Sequence, residues 1–264
     1  MATLKKQHIV IIGCGNVAWH VAKHFSELKI FEIYVFNHKP NNLLQDFKKK
    51  LKCYTYINLN GIPSGADYYF ICVNDDVIAS VTSNLVLSNP NALVIHTSGS
   101  CELNLIQSTN KHKGVFYPIQ TFSKSDTIHW ENVPICIEST TKAGLNELKK
   151  IGNLFSKNIF VINSIQRLNI HLAAVLVNNF TNALYAEAEH QLKKVNVDFK
   201  LLLPLIQQSG LKLNSLPPLQ AQTGPAKRND VTVIKKHLDL LQKDKEFKKI
   251  YIQLTRLIIK QQNK

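Results

Sequence analysis

The sequence predicts two domains: an α/β domain with a doubly wound, mostly parallel sheet, and then an all-helical domain. In residues 1–163, short apolar strand patterns alternate with amphipathic helical patterns, which is typical of a parallel sheet covered on both faces. From Ser164 onward only helical periodicity remains. Because 264 residues are enough for two modest domains, we place the domains at 1–163 and 164–264.

The strands of the first domain are predicted where short apolar runs end in polar or glycine-containing segments. These strands are His8–Ile12, Glu32–Asn37, Tyr68–Val73, Leu93–Thr97, Lys113–Tyr117, Val133–Glu138 and Ile159–Ile162. Helices are predicted in this domain at Asn16–Leu28, Asn41–Leu51 and Lys142–Ser156. The second domain is predicted to contain helices Gln166–Val195, Asp198–Gln208, Asp230–Gln242 and Lys245–Gln261, with Asp198 and Asp230 as N-caps.

The first strand runs directly into a G-x-G-x-x-A motif and then a helix. Gly13 allows a tight turn, and Gly15 allows a pyrophosphate to approach the backbone, while Ala18 lets the helix pack closely on the strand. The helix N-terminus offers free N–H groups and a positive dipole end to phosphates. The alternative interpretation is a strand-to-helix glycine turn that binds no ligand. The motif therefore predicts a Rossmann dinucleotide-binding fold, with Gly13, Gly15, Asn16 and Val17 at the cofactor.

Asn37, His38 and Lys39 follow the second strand, about 20 residues after the glycines, where NAD enzymes place an acidic residue for the ribose. No Asp or Glu stands at these positions. A carboxylate would repel a 2′-phosphate, whereas these three side chains can donate hydrogen bonds to one. The segment therefore favours NADP over NAD, although an ordinary turn would have the same composition.

Polar residues also follow the later strands, at the sheet edge where α/β proteins bind ligands. Val73 and Asn74 follow the third strand, with Asn74 placed to border the nicotinamide ribose, and Asp75 or Asp76 is expected to cap the next helix. Ser98 lies in the segment after the next strand, and Tyr117 to Ser123 bring a phenol, an amide and hydroxyls to the same region. Their shared position predicts a common cleft.

The long helix carries a polar stripe on an otherwise apolar surface. At about 100° per residue, His171, Asn178 and Asn182 lie in one narrow stripe, with Asn179 to one side. Because burying such a stripe without partners is costly, it lines a cleft or pairs across a helical dimer interface, and we favour the cleft. Taken alone, His171 is equally consistent with a hydrogen-bonded core histidine.

The segment from Gln222 to Asp230 contains two cations before a capped helix. It is interpreted either as a helix entrance alone or as a loop that brings Arg228 to an anionic or carbonyl-bearing substrate.

The formal net charge of +14 raises the hypothesis of nucleic-acid binding. Only three of the 32 basic residues are arginines, and the lysine runs lack interleaved aromatics, so a solvated surface is the favoured interpretation. Five scattered cysteines without C-x-x-C spacing favour neither disulfides nor a metal site, and fit a reducing compartment. No apolar run is long enough for a membrane span, and Met1–Lys6 leave no room for a signal peptide, so we expect a cytoplasmic location.

The chain as a whole resembles a group of Rossmann-like proteins with a helical C-terminal domain of undefined function, assigned as NADP oxidoreductases. The resemblance depends on the glycine motif, His96–Gly99, Tyr117–Phe122, His171–Ala174 with Asn178–Phe180, and Thr223–Asp230. The group is similar to pyrroline-5-carboxylate reductases and deazaflavin-dependent NADP reductases, and more distantly to the β-hydroxyacid dehydrogenases. It implies a helical domain like the C-terminal domain of 6-phosphogluconate dehydrogenase, and a homodimer whose helical domains close the cofactor cleft.

The resemblance departs from the β-hydroxyacid dehydrogenases at one position. Those enzymes use a lysine on the first long helix with an asparagine one turn later, whereas His171 and Val175 stand here. We expect an NADP-dependent oxidoreductase that reduces a C=O or C=N bond of a small metabolite. His171 would be the acid, Asn178 and Asn182 would orient the substrate, and Arg228 would bind an anionic group. The alternative is a non-catalytic NAD(P)-binding or sensing dimer.

Overall fold

The computed structural model describes residues 6–262. Contacts between Cα atoms group the chain into two compact units, one ending at Asn182 and the other beginning at Ala183. The predicted domain boundary after residue 163 stays a prediction. Residues 1–5, expected to lead into the first strand without a signal peptide, and residues 263–264 lie outside the described part of the chain.

The first unit is built on an eight-stranded sheet. Its strands are β1 (Gln7–Ile12), β2 (Phe31–Phe36), β3 (Tyr54–Tyr56), β4 (Tyr68–Ile71), β5 (Leu93–His96), β6 (His112–Pro118), β7 (Ile135–Ser139) and β8 (Ile159–Val161). They are ordered β3-β2-β1-β4-β5-β6-β7-β8, and only the β6–β7 pairing is antiparallel. The strand order reverses between β1 and β4, which is where doubly wound sheets bind ligands. The predicted Rossmann-like α/β architecture is thus confirmed.

Strand β3 was not predicted. It is an edge strand of three residues, too short to produce a periodic pattern, and its Tyr54 is 56% exposed. The predicted strands otherwise match, with ends that differ by one or two residues.

The strands bury side chains on both faces of the sheet. Along β1, Ile9 and Ile11 face one core with Phe25 and Phe70, whereas Val10 and Ile12 face the other. This two-sided burial explains why β1 reads as a continuous apolar run rather than as an alternating pattern.

Helices of the first unit cover the sheet and end in one long helical segment. They are α1 (Asn16–Leu28), α2 (Asn42–Leu51), α3 (Ile78–Ser83), α4 (Lys142–Phe155) and α5 (Ser164–Ala174). A π-helical segment, Val175–Phe180, follows α5, and α6 (Thr181–Lys193) begins directly after it. Asn163 and Gln166 form a capping box that fixes where α5 begins.

The second unit contains helices joined by turns, and no strand, in its described residues. After α6 it contains α7 (Leu203–Lys212), α8 (Pro218–Ala221), α9 (Val231–Leu240) and α10 (Lys245–Gln262). Asp198 and Asp230 accept N-cap hydrogen bonds as predicted. The helix predicted from Asp198 starts as a 3-10 turn and becomes α-helical at Leu203, beside Pro204 in its first turn. Within residues 6–262, no helix is both long and apolar enough to span a membrane.

Candidate active site

A cleft of about 650 Å³ lies at the carboxyl ends of β1, β4, β5 and β6, and all of its lining residues belong to the first unit. Among residues 6–262, no lysine or arginine lines this cleft, although the chain carries a net charge of +14. The cleft is lined by Gly15, Asn16, Val17, Cys72, Val73, Asn74, Asp75, Thr97, Ser98, Tyr117, Ile119, Gln120, Thr121, Phe122, His171, Ala174, Val175, Val177, Asn178 and Asn179. Eight sequence-predicted site residues are therefore together: Gly15, Asn16, Val17, Val73, Asn74, Ser98, His171 and Asn178.

The two glycines of the turn have different physical roles. Gly13 has a φ of +109°, and a Cβ built on it would lie 2.1 Å from the backbone oxygen of Cys72. Its N–H donates to the carbonyl of Phe36 at 2.8 Å. The backbone conformation and packing at position 13 therefore require glycine whether or not a ligand is bound. A Cβ on Gly15 would meet no heavy atom within 4 Å, so the space beside Gly15 is open.

The N-terminus of α1 opens onto this space. Gly15 is the N-cap of the helix, and in the described chain no side chain caps it. The residues of its first turn include no carboxylate. Free N–H groups and the positive dipole end together favour an anion here, so the turn fits the pyrophosphate of a dinucleotide.

Asn16 connects the glycine turn to the segment after β6. Its side-chain amide donates to the carbonyl of Phe122 at 2.8 Å, and one turn later the Nε2 atom of His20 lies 2.8 Å from the carbonyl of Ser123. These contacts hold the Gln120–Ser123 segment over the start of α1. The side-chain NH₂ group of Asn16 therefore already donates one hydrogen bond within the protein.

Asp75 does not cap a helix, although the sequence predicted that it or Asp76 would. The 3-10 turn Asp75–Val77 has Asn74 as N-cap, and α3 begins at Ile78 without a side-chain cap, so that expectation was wrong for both Asp75 and Asp76. The Asp75 carboxylate instead accepts from the hydroxyl of Ser100. Burial by itself raises the pKa of Asp75, but hydrogen bonds from Ser100, Ser98 and Cys101 hold it below the usual range. Asp75 is therefore ionised at neutral pH and belongs to the cleft.

Ser98 is held by its own turn and by the buried imidazole of His96. The Oγ of Ser98 accepts from the backbone N–H groups of Ser100 and Cys101 at 3.2 and 3.1 Å. The N–H of Ser98 donates to Nδ1 of His96 at 3.2 Å. Burial, together with the nearby Arg167 guanidinium, lowers the pKa of His96 to about 4. His96 is thus neutral at physiological pH, which lets Nδ1 accept this bond.

The free energy of unfolding should fall as the pH is lowered from about 6.5 to 4, because His96 is protonated more readily in the unfolded chain than in the folded protein. Because the pKa of His96 falls from 6.5 to about 4 on folding, the free energy of unfolding should be lower by about 3 kcal/mol at pH 4 than at neutral pH. Urea unfolding across this pH range measures it. The variant His96→Asn, whose side-chain oxygen can still accept from Ser98, should show a flatter profile. An identical slope in both proteins would show that His96 does not carry the effect.

The π-helical segment changes which residues of the long helix face the cleft. Its wider turns displace every following residue from the positions that 100° per residue predicts. Asn179, expected to lie to one side, lines the cleft beside Asn178. Asn182 is exposed and, among the residues that the structure describes, is not part of the cleft lining. The single stripe of His171, Asn178 and Asn182 is therefore not observed, and the role of Asn182 stays a prediction.

Tyr117 and His171 form a contact that the sequence did not indicate. The phenolic oxygen of Tyr117 lies 3.2 Å from Nδ1 of His171, with the two rings edge to face at 74°. Gly99 is packed beneath this pair, since a Cβ there would lie 2.7 Å from both Nδ1 of His171 and Cζ of Tyr117. Gly99 is therefore needed for the two rings to meet.

A buried ion pair anchors α5 to the sheet. Arg167 is 1% exposed, and it pairs with Glu138 of β7 and donates to the carbonyl of Cys101. Glu138 also accepts from the backbone N–H and the hydroxyl of Ser164, at 3.1 and 2.9 Å. Sequence patterns do not distinguish Arg167 from a solvated arginine, because its partner is 29 residues away.

The remaining predicted residues lie outside the cleft lining. Asn37 is half-buried at the end of β2 and donates to the carbonyl of Lys39 at 2.6 Å, and His38 and Lys39 are exposed. Arg228 belongs to the second unit, where it is exposed in the turn before α9. Its role in substrate binding stays a prediction.

One group in the second unit has the composition of a cation site. Ligand atoms of Glu187, His190 and Asp244 lie within 4.8 Å of one another. Lys194 and Lys243 line the same shallow pocket, and their charge opposes the binding of a cation.

Comparison with known proteins matches both halves of the chain to family models. Residues 8–99 match the model described as NADP oxidoreductase, coenzyme F420-dependent, and residues 133–258 match a domain of unknown function, DUF2520. No curated protein sequence matches the chain.

Solved structures resemble the chain over nearly its whole length. A Bacteroides fragilis structure described as a "putative NADP oxidoreductase" has 34% identity and a TM-score of 0.91, with 97% of this chain and 98% of that chain covered. A Thermotoga maritima protein has 18% identity and a TM-score of 0.80, with 97% and 100% covered. A pyrroline-5-carboxylate reductase from Coxiella burnetii has 16% identity and a TM-score of 0.62, with 98% of each chain covered. The last two similarities concern the fold alone.

Proposed function

This chain belongs to the NADP oxidoreductase family of the Bacteroides fragilis protein, and from that premise we propose that it reduces a C=O or C=N bond of a small metabolite. The observation that carries the proposal is the continuity of the cleft. It joins the open glycine turn at Gly15 to the hydroxyl, imidazole and amide groups of Ser98, His171 and Asn178. A phosphate-binding end and a proton-donating end in one cleft are what hydride transfer to a polarised double bond requires.

The glycine turn would hold the cofactor, which supplies hydride when bound. Gly15 leaves the space that a pyrophosphate needs, and the N–H groups of Asn16 and Val17 begin the helix whose N-terminus faces it. Val73 and Asn74 would border the nicotinamide ribose. In this proposal His171 is the source of the proton and Asn178 orients the substrate, while the roles of Asn182 in orienting the substrate and of Arg228 in binding an anionic group stay predictions.

We propose NADP rather than NAD as the cofactor. The end of β2 carries Asn37, His38 and Lys39 with no carboxylate, and α2 begins nearby with a first turn free of acidic residues. Both features favour a 2′-phosphate.

Replacing Lys39 with glutamate should weaken NADPH binding about tenfold more than NADH binding, because only NADPH carries the phosphate that the new carboxylate repels. Calorimetric titration of the variant with each nucleotide measures the difference. Lys23→Glu on α1, a charge reversal of the same size, is the control for general electrostatic effects. Equal losses for NADPH and NADH would remove the argument for NADP.

The proposal is tested first by calorimetric titration of the purified protein with NADPH and, separately, NADH. We expect micromolar binding that favours NADPH, followed by NADPH oxidation with members of a panel of small ketones, aldehydes and cyclic imines. Binding without turnover of any panel member would favour a non-catalytic NAD(P)-binding or sensing protein. Binding of neither nucleotide would refute the cofactor assignment.

We also propose that the chain forms a homodimer. The long helix exposes large apolar side chains, with Ile165 75%, Leu172 56% and Phe180 57% exposed. Exposed apolar surface of this kind is typical of an interface between subunits. Sedimentation should give a mass near twice the 29.9 kDa of the chain, and Leu172→Glu should shift it toward the monomer. A wild-type monomer at micromolar concentration would contradict this proposal.

A further inference from the structure

We propose that the proton supplied by His171 reaches the reduced substrate through Tyr117: the phenol donates its proton to the substrate, and His171 holds the phenol in place and replaces that proton. This inference rests on the proposed function, since it concerns the proton that accompanies reduction of a C=O or C=N bond. It adds a catalytic residue on β6, which the sequence pattern placed in the cleft without a role.

The first support is the geometry of the pair. The phenolic oxygen of Tyr117 and Nδ1 of His171 are 3.2 Å apart, within hydrogen-bond distance. Both side chains line the same cleft as the glycine turn. The fit is tight, because Gly99 leaves no room for even one methyl group beneath the two rings.

The second support is the composition of the cleft. In the described part of the chain its lining has no lysine or arginine, and the ionised Asp75 accepts a hydrogen bond from Ser100. The hydroxyl of Ser98 is held within its turn as an acceptor of two backbone N–H groups. Of the groups in this lining, Tyr117 combines a hydroxyl proton with a hydrogen-bond partner, His171, that can replace it.

Burial determines the resting protonation state of this phenol. Desolvation raises the pKa of Tyr117 above that of a free phenol, so its O–H stays protonated at neutral pH. A phenol in this state transfers its proton only when a stronger base, such as a developing alkoxide or amine, forms beside it.

The position of the pair follows from how α5 lies on the sheet. Arg167 pairs with Glu138, and Glu138 is in register with Val115 of β6. His171 lies four residues after Arg167, about 6 Å along a helix. Tyr117 lies two residues after Val115, about 7 Å along a strand. The ion pair and the tyrosine–histidine pair are thus two successive contacts between the same helix and sheet.

The proton balance of the step is complete. The carbon of the double bond would take a hydride, which the nicotinamide cofactor supplies when bound. As the π bond breaks, its oxygen or nitrogen takes the phenolic proton of Tyr117. The phenolate oxygen then takes the proton from Nδ1 of His171 while Nε2 of the same ring takes one from solvent, so the imidazole stays neutral, and exchange with solvent returns the proton to Nδ1. The substrate gains one hydride and one proton, and both side chains return to their starting state.

The pair is tested first without substrate, by nitrogen NMR of the imidazole groups in the 264-residue protein. His171 is assigned by the signal lost in His171→Gln. Tyr117→Phe keeps the ring and removes only the hydroxyl, so we expect its His171 Nδ1 signal to move while the other histidine signals stay in place. Tyr54→Phe, on the exposed edge strand, is the matched control and should leave the His171 signal in place. An unchanged His171 signal in Tyr117→Phe would overturn the inference, whatever the enzyme assays show.

The catalytic role is tested with whichever member of the ketone, aldehyde and imine panel the wild type reduces. Tyr117→Phe should lower kcat about 100-fold or more while the Kd for NADPH stays within about twofold. Gly99→Ala should lower kcat as well, because it separates two intact side chains. Wild-type kcat in Tyr117→Phe would refute the role. If the wild type reduces no panel member, the proposed function fails, and the NMR result still decides whether the pair exists.

Discussion

Replacing Gly15 with aspartate will leave a folded protein that no longer binds NADPH. In the protein alone the new side chain meets open space, and a carboxylate at the N-terminus of α1 favours the helix. In the complex the same carboxylate would occupy the position of the pyrophosphate with charge of the same sign. We expect the affinity for NADPH to fall about 1000-fold or more, which corresponds to about 4 kcal/mol.

The matched control for this variant is Gly13→Ala. Gly13 has a left-handed φ, and its Cβ would lie 2.1 Å from the Cys72 oxygen, so the alanine must distort the turn. We expect Gly13→Ala to lower the thermal midpoint and Gly15→Asp to leave it unchanged or raised. Calorimetry with NADPH and a thermal melt of each variant separate the two effects. NADPH affinity retained in Gly15→Asp would remove the assignment of the glycine turn as the phosphate site.

Arg167→Met is expected to destabilise the protein by about 3–5 kcal/mol, because it leaves the Glu138 carboxylate largely buried without its cation. The Ser164 bonds to Glu138 remain, and they do not neutralise its charge. The urea midpoint should therefore fall well below that of the wild type. It should fall less in the double variant Arg167→Met with Glu138→Leu, in which no charge is stranded.

The control for Arg167→Met is Lys249→Met, which removes one partner of an exposed ion pair with Glu246. Exposed pairs of this kind contribute little to stability. If Arg167→Met and Lys249→Met shift the urea midpoint equally, the buried pair does not anchor α5 to the sheet.

The sheet and its phosphate turn could be predicted from sequence because both depend on local patterns. Strands buried on two faces read as continuous apolar runs, and the glycine motif follows β1 directly. The short edge strand Tyr54–Tyr56 leaves no such pattern, and only pairing with β2 defines it.

The chemical end of the site was predicted in part. Because strand ends converge at one edge of the sheet, Asn74, Ser98 and His171 could be assigned to one cleft. The partner of Asp75 lies 25 residues away and that of Tyr117 lies 54 away, so neither contact leaves a local signal. A single sequence records which residues reach the cleft, but not which of them touch.

The π-helical segment at Val175–Phe180 also has a consequence for how this helix is compared with others. A π turn is equivalent to one residue inserted into an α-helix. An alignment of this chain with a relative whose helix is regular must therefore carry a one-residue gap between 175 and 180. Without that gap, each helix residue after Phe180 is aligned with the wrong residue of the relative, one position away from its true equivalent. A functional role transferred from the relative to this part of the helix would then be given to the wrong residue.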